Sequence, residues 1–187
     1  MMNSKTVPAT VVLLGLAIAM AALAVPAAWA DSHVKWQKLD LEAADLSVLM
    51  PGTAKPKDIH TKSFIGDIVT HEYYVDAGRD SYSVEFSDLP GFAVSFSGSD
   101  TIYEHTKGAL LKKTLSKPIS FTDITLNNVK GKKLVYDTPS KPDHPEMQGE
   151  AHIFLFGHRL YIANAVIEMD GMKENFDHFF SSLSIKH

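Results

Sequence analysis

The stretch QGEAHIFLFGHRLYIANAVI, residues 148–167, decides the fold. Its halves, 148–156 and 159–167, flank Gly157 and His158, which suit a two-residue type II′ turn because glycine takes the first, positive-φ position. Ile153 and Leu155 share one face of the first half, and the other face carries phenylalanines. Strands that are apolar on both faces belong in the middle of a sheet covered on both sides. The stretch therefore predicts a hairpin at the centre of a layered domain.

Shorter strands are predicted on both sides of this hairpin. Residues 81–87 alternate, with Tyr82, Val84 and Phe86 on one face. Similar patterns predict further strands, at 46–50, 68–75, 122–126 and 129–137. Residues 53–62 are polar and contain Pro56, and 138–147 holds three prolines, so both segments are predicted to be mainly loop.

Two helices are predicted. Thr101 and Glu104 have the spacing of a capping box, which places one helix at about 100–115. The second follows a capping Asp170, and its apolar residues recur with helical spacing on one face. These residues are Met172, Phe176, Phe179, Phe180 and Leu183. The order of elements predicts an α+β fold, a single domain whose antiparallel β-sheet is sandwiched by helices.

Several short segments resemble exported PsbP-like domains, a fold that also includes the yeast Ran-release-factor family. They are Met50-Pro-Gly-Thr53, the strand Tyr82-Ser-Val-Glu-Phe-Ser-Asp-Leu-Pro90, the central helix, and the closing Phe179-Phe180-Ser-Ser-Leu-Ser-Ile185. The resemblance covers most of residues 36–186. It implies an antiparallel sheet between helices and an accessory or binding role rather than catalysis. No functional residue of the photosynthetic member maps onto this chain, so none is carried over.

The first thirty residues have the pattern of a secretory signal peptide. Lys5 is their only charge, an apolar run covers 11–25, and Ala28-Trp29-Ala30 supplies the small residues of a cleavage site. We expect cleavage after Ala30, which leaves residues 31–187 as a single periplasmic or secreted domain, more typical of a bacterium. The alternative is an uncleaved membrane anchor, although Pro26 interrupts the apolar run.

Composition excludes several classes of function. The 187 residues include no cysteine, so disulfides and cysteine-ligated metal sites are ruled out. The formal charge of −4 argues against a nucleic-acid partner. No nucleophile elbow, phosphate-binding glycine loop, dinucleotide fingerprint or H-E-x-x-H motif occurs, so no catalytic residue is assigned and no cofactor is expected.

Three functions remain open. The first is a non-catalytic accessory protein that binds an unidentified protein or small ligand, on the sheet or on the apolar segment 92–96. Exposure of Phe92 and Phe96 would support that role, and their burial would oppose it. The second is an enzyme of unknown type, which would need a pocket where a histidine and a carboxylate meet.

The third is copper or nickel binding at the mature N-terminus. Cleavage after Ala30 would expose Asp31-Ser32-His33. The α-amine, the amides of Ser32 and His33, and the His33 imidazole would offer four nitrogens in a plane, which suits Cu(II) or Ni(II). His144, in the proline-rich loop with Asp143 and Glu146, is a further candidate ligand. The simpler explanation of the tripeptide is that His33 stands there by coincidence. The simpler explanation of the loop residues is an ordinary polar surface loop.

Overall fold

A computed structural model describes residues 35–63, 66–139, 146–168 and 173–186. This part of the chain contains two antiparallel sheets, two α-helices and a short 3₁₀ helix at Glu42–Ala44, so the predicted α+β class is confirmed. The strands are β1 (Gln37–Leu41), β2 (Leu46–Met50), β3 (Lys55–Ser63), β4 (Gly66–Ala77), β5 (Asp80–Asp88), β6 (Lys117–Leu126), β7 (Val129–Thr138), β8 (Met147–Phe156), β9 (Arg159–Glu168) and β10 (Ser184–Ile185). The helices are α1 (Gly91–Thr114) and α2 (Lys173–Ser181).

The main sheet has seven strands in the order β3-β4-β5-β9-β8-β7-β6. The predicted hairpin of β8 and β9 is confirmed, and it lies near the centre of this sheet. Gly157 at the tip of the hairpin has a φ of 60°. Asn127 and Asn128 join β6 to β7 with φ values of 49° and 66°, as their tolerance of positive φ predicts.

The two faces of this sheet are covered differently. Helix α1 packs on one face, over a core that includes Tyr103, Leu134, Tyr136 and Ile153. Helix α2 and a second sheet, ordered β1-β2-β10, cover the other face. The phenylalanine stripe of α2 is buried there, and Phe179 stands edge-on to Tyr82 with 5.4 Å between ring centres. The predicted sandwich is therefore present, with a small sheet as an unpredicted part of one layer.

The predictions for three elements need correction. The strand predicted at 122–126 is β6, which begins at Lys117 and has a register shift between Pro118 and Ser120. Residues 53–62 are mainly strand rather than loop, because Lys55–Ser63 is an edge strand that pairs only with β4. Edge strands tolerate proline and charge, which explains Pro56 and the polar composition. The helix predicted at about 100–115 is present as the part of α1 that follows Gly98, but a further helical segment that was not predicted begins at Gly91. Gly98 (φ 73°, ψ 159°) breaks the helical geometry between the two parts.

The remaining sequence predictions fall partly outside the described residues. These include the signal segment with Ala28 and Ala30, the tripeptide Asp31-Ser32-His33, and most of the proline-rich loop. Within the part that is described, no helix is long and apolar enough to cross a membrane.

Candidate functional site

A groove of about 390 Å³ lies between α1 and the β3-β4-β5 half of the main sheet. It forms because α1 is centred over the other half, where its Tyr103 hydroxyl donates to the Lys130 carbonyl oxygen at 2.9 Å. The apolar part of the lining consists of Ile68, Leu89, Ala93, Ile102, Ala109 and Leu160. Its polar part consists of Thr61, Thr70, Ser87, Ser97, Thr106 and His105.

The lining carries little charge. Among the described residues that line the groove, five bear hydroxyl groups, none bears a carboxylate, and His105 is the single titratable side chain. The Thr106 hydroxyl already donates to the Ile102 carbonyl oxygen at 2.8 Å. Ligand pockets typically combine an apolar wall with a few polar groups that fix orientation. The groove therefore suits an uncharged, mainly apolar ligand.

One end of the groove meets a buried ionic cluster. Thr70 and Ser87 are cross-strand partners in the lining, and the next pair on the same face is Glu72 and Glu85. Both carboxylates are buried. Lys113 reaches them from α1, with its Nζ 3.3 Å from Glu72 and 3.6 Å from Glu85. Lys57 of β3 lies 3.3 Å from Glu72, so the two carboxylates face two ammonium groups.

Burial controls the charge of this cluster. Desolvation raises the pKa of Glu85, with the neighbouring Glu72 carboxylate acting in the same direction and Lys113 opposing it. Burial also raises the pKa of Tyr136, nearby on the same face, to about 12. Strand alternation predicts that the side chains of Glu85 and Phe86 lie on opposite faces of β5. The pairing of Glu72 with Glu85 depends on strand register and could not be predicted from sequence.

The variant Glu85→Gln tests this electrostatic arrangement. Because the pKa of Glu85 is raised in the folded state, folding favours the protonated carboxyl group. This contribution to the free energy of unfolding is lost as the pH rises from the ordinary pKa of 4.5 through the raised folded-state pKa. We therefore expect Glu85→Gln to raise the urea midpoint relative to the parent protein at pH 7.5, and this difference to shrink at pH 4.5. A variant less stable than the parent at pH 7.5 would show instead that the charged Glu85–Lys113 contact stabilises the fold.

The aromatic segment singled out from the sequence lies beside the groove and faces outward. Phe92 is 66% exposed and Phe96 is 93% exposed, whereas Ala93 and Ser97 of the same helical segment line the groove. Both phenylalanines are exposed to solvent, as an interaction surface at this segment requires. The groove itself was not predicted, because five separate elements contribute its lining.

One pocket brings a histidine together with carboxylates, which is the arrangement that an enzyme would need. It is an open surface pocket of about 380 Å³ on α1, lined by Asp100, Thr101, Glu104 and His105. His71 contacts Asp58 at 2.8 Å and His152 contacts Glu150 at 2.7 Å, but none of these four residues lines the groove. The His152 ring also stacks on Phe180 at 4.1 Å between ring centres, a packing role. No cluster of three or more metal-ligating side chains occurs within the described ranges. The tripeptide at 31–33 lies outside them, so metal binding there stays a prediction.

Comparisons with known proteins identify the fold. No model of a protein family matches the chain, and no curated protein matches it in sequence. The solution structure of cyanobacterial PsbP from Synechocystis sp. PCC 6803 matches with a TM-score of 0.56 and 14% identity, over 82% of this chain and 94% of that one. A protein from Bacteroides thetaiotaomicron VPI-5482 gives a TM-score of 0.48 at 10% identity, over 81% of this chain and 48% of its own. The architecture and the first of these matches establish that the chain has the PsbP-like fold.

Proposed function

We propose that this protein is an exported, non-catalytic accessory protein of the periplasm or extracellular space that binds an uncharged, mainly apolar ligand. The observation that carries the proposal is the groove between α1 and the β3-β4-β5 half of the sheet. Its volume of about 390 Å³ falls within the range of small-molecule sites, ~300–1,000 Å³. A charged ligand would lose its hydration without gaining a counter-ion from the lining.

The groove extends along the helix. Its lining on α1 runs from Ala93 to Ala109, with Ser97, Ile102 and Thr106 between them. At ~1.5 Å per residue this is roughly 24 Å of chain, shortened by the break at Gly98. An elongated ligand lying beside α1 would use the lining more fully than a compact one. Its hydroxyl or carbonyl groups would find partners among Thr61, Thr70 and Ser87.

A neutral fluorescent probe tests the groove. We expect N-phenyl-1-naphthylamine to bind at one equivalent with enhanced emission. Ala109→Trp, which places a bulky side chain across the groove from an exposed helical position, should weaken that binding at least ~tenfold, the effect of losing ~1.4 kcal/mol of contact.

Thr125→Trp on the exposed edge strand β6 is the matched control, because it adds the same indole away from the groove. The control should bind the probe as the parent does. Equal weakening by both variants, or no weakening by Ala109→Trp, would place the probe elsewhere and contradict the proposal.

A further inference from the structure

Residues 89–99 form an uncharged segment at the start of α1. The sequence Leu89-Pro-Gly-Phe-Ala-Val-Ser-Phe-Ser-Gly-Ser99 lies between Asp88 and Asp100 and contains no charged side chain. Its helical part ends at Gly98, whose positive φ separates it from the rest of α1. The segment therefore forms a short helical unit with its own two faces.

These two faces differ in what they contact. Phe92 and Phe96, four residues apart, lie on the exposed side. Ala93 and Ser97, also four residues apart, line the groove. Each phenylalanine directly precedes a groove-lining residue, so the aromatic pair lies about 100° around the helix axis from the groove. Whatever binds the aromatic pair lies directly beside the groove.

The chemistry of the segment favours a lipid surface over a protein. Two phenylalanines with these exposures present only ~300 Å² of apolar area, since a whole aromatic side chain offers ~150–250 Å². A stable protein interface needs ~800 Å² from each partner. Binding to a bilayer interface needs no complementary partner surface and strengthens with the apolar area that is buried. The small uncharged residues around the aromatic rings carry no strongly hydrated group into the headgroup region.

The charges around the segment favour a zwitterionic lipid surface over an anionic one. The neighbouring cation, Arg159, is occupied: its Nε and second guanidinium nitrogen donate to Asp88 at 2.6 and 2.8 Å, and it also donates to the Ala43 carbonyl oxygen. Asp100 and Glu104 follow on α1. Anionic lipids attract clusters of lysine and arginine, which this segment lacks.

We propose that Phe92 and Phe96 dock the protein onto a zwitterionic lipid bilayer, so that the groove receives an uncharged lipid-like ligand from the membrane. The docking step depends only on the exposed segment 89–99. The identity of the cargo rests on the proposed function.

Co-sedimentation with phosphatidylcholine vesicles tests docking. The parent protein should bind, and raising the salt concentration should not release it, because screening weakens charge contacts and leaves apolar insertion intact. The double variant Phe92→Ser/Phe96→Ser should partition at least ~tenfold less, since it removes both inserted rings. Both side chains are exposed, so the variant should keep the parent's circular dichroism.

The matched control is Leu115→Ser/Ile119→Ser. These residues are 71% and 53% exposed at the far end of α1 and the start of β6, so the control removes a similar apolar area from another place. It should bind vesicles like the parent. Failure of the parent to bind, retention by Phe92→Ser/Phe96→Ser, or binding only to anionic vesicles at low salt would overturn the proposal, as would a defined protein contact at these rings without vesicle binding.

The two proposals fail separately. Parent protein that binds vesicles but not N-phenyl-1-naphthylamine would contradict the groove as a ligand site and leave docking supported. Parent protein that binds the probe but not vesicles would contradict docking and leave the groove supported as a ligand site. Ala109→Trp should weaken probe binding and keep vesicle binding, because Ala109 lies in the second part of α1, beyond Gly98.

Discussion

Replacing Gly149 with alanine is expected to lower the free energy of unfolding by ~3 kcal/mol or more, the upper range for overpacking a core. Gly149 pairs with Tyr136 across β7 and β8, and a Cβ at this position would lie 2.1 Å from the Tyr136 Cζ. The ring has no room to move, because Tyr136 is fully buried and its hydroxyl donates to the Asn164 Oδ1 at 2.7 Å. Urea unfolding of the purified variant measures the loss.

Gly108→Ala is the matched control for this prediction. Gly108 lies inside α1, has no positive φ, and a Cβ there would meet nothing within 4 Å. The same substitution should therefore stabilise the protein by ~0.5–1 kcal/mol, the helix preference for alanine over glycine.

A second variant separates the steric cause from a backbone preference. Combining Gly149→Ala with Tyr136→Leu should cost less than the two single changes added together, because the smaller side chain leaves space for the new methyl group. Additive losses would contradict the proposed clash between the two positions.

The layered fold followed from local patterns where each strand packs on a clear surface. In β8 and β9 both faces are apolar because both faces of the central sheet are covered. In β3 the pattern gave no strand, because an edge strand with one exposed side needs no strict alternation. The early start of α1 was missed because Gly98 interrupts its helical periodicity. The small sheet was missed in part because β10 has only two residues.

The candidate site, too, could be predicted from the sequence only in part. The segment around Phe92 and Phe96 could be singled out from sequence, since two large apolar residues beside a break are a local feature. The groove and the Glu72–Glu85 cluster could not, because they depend on strand register and on where α1 rests across the sheet. Long-range pairing of this kind is absent from any single window of sequence.

Phe179→Ala and Phe96→Ala form a pair that should separate stability from surface function. Phe179 of α2 is 0% exposed and packs edge-on against Tyr82 and Phe180. Its truncation should cost ~3–5 kcal/mol, the range for removing a buried aromatic ring from a core. Phe96 is 93% exposed, so the same truncation should change the free energy of unfolding by less than ~0.5 kcal/mol.

The two substitutions should affect vesicle binding in the opposite order. At a temperature where both variants are folded, Phe179→Ala should dock like the parent, because α2 covers the opposite face of the sheet from α1. Phe96→Ala should dock more weakly despite its intact stability. A Phe96→Ala variant that loses stability would mean that the ring packs against the fold, and the exposed aromatic pair would then be a structural feature rather than a docking surface.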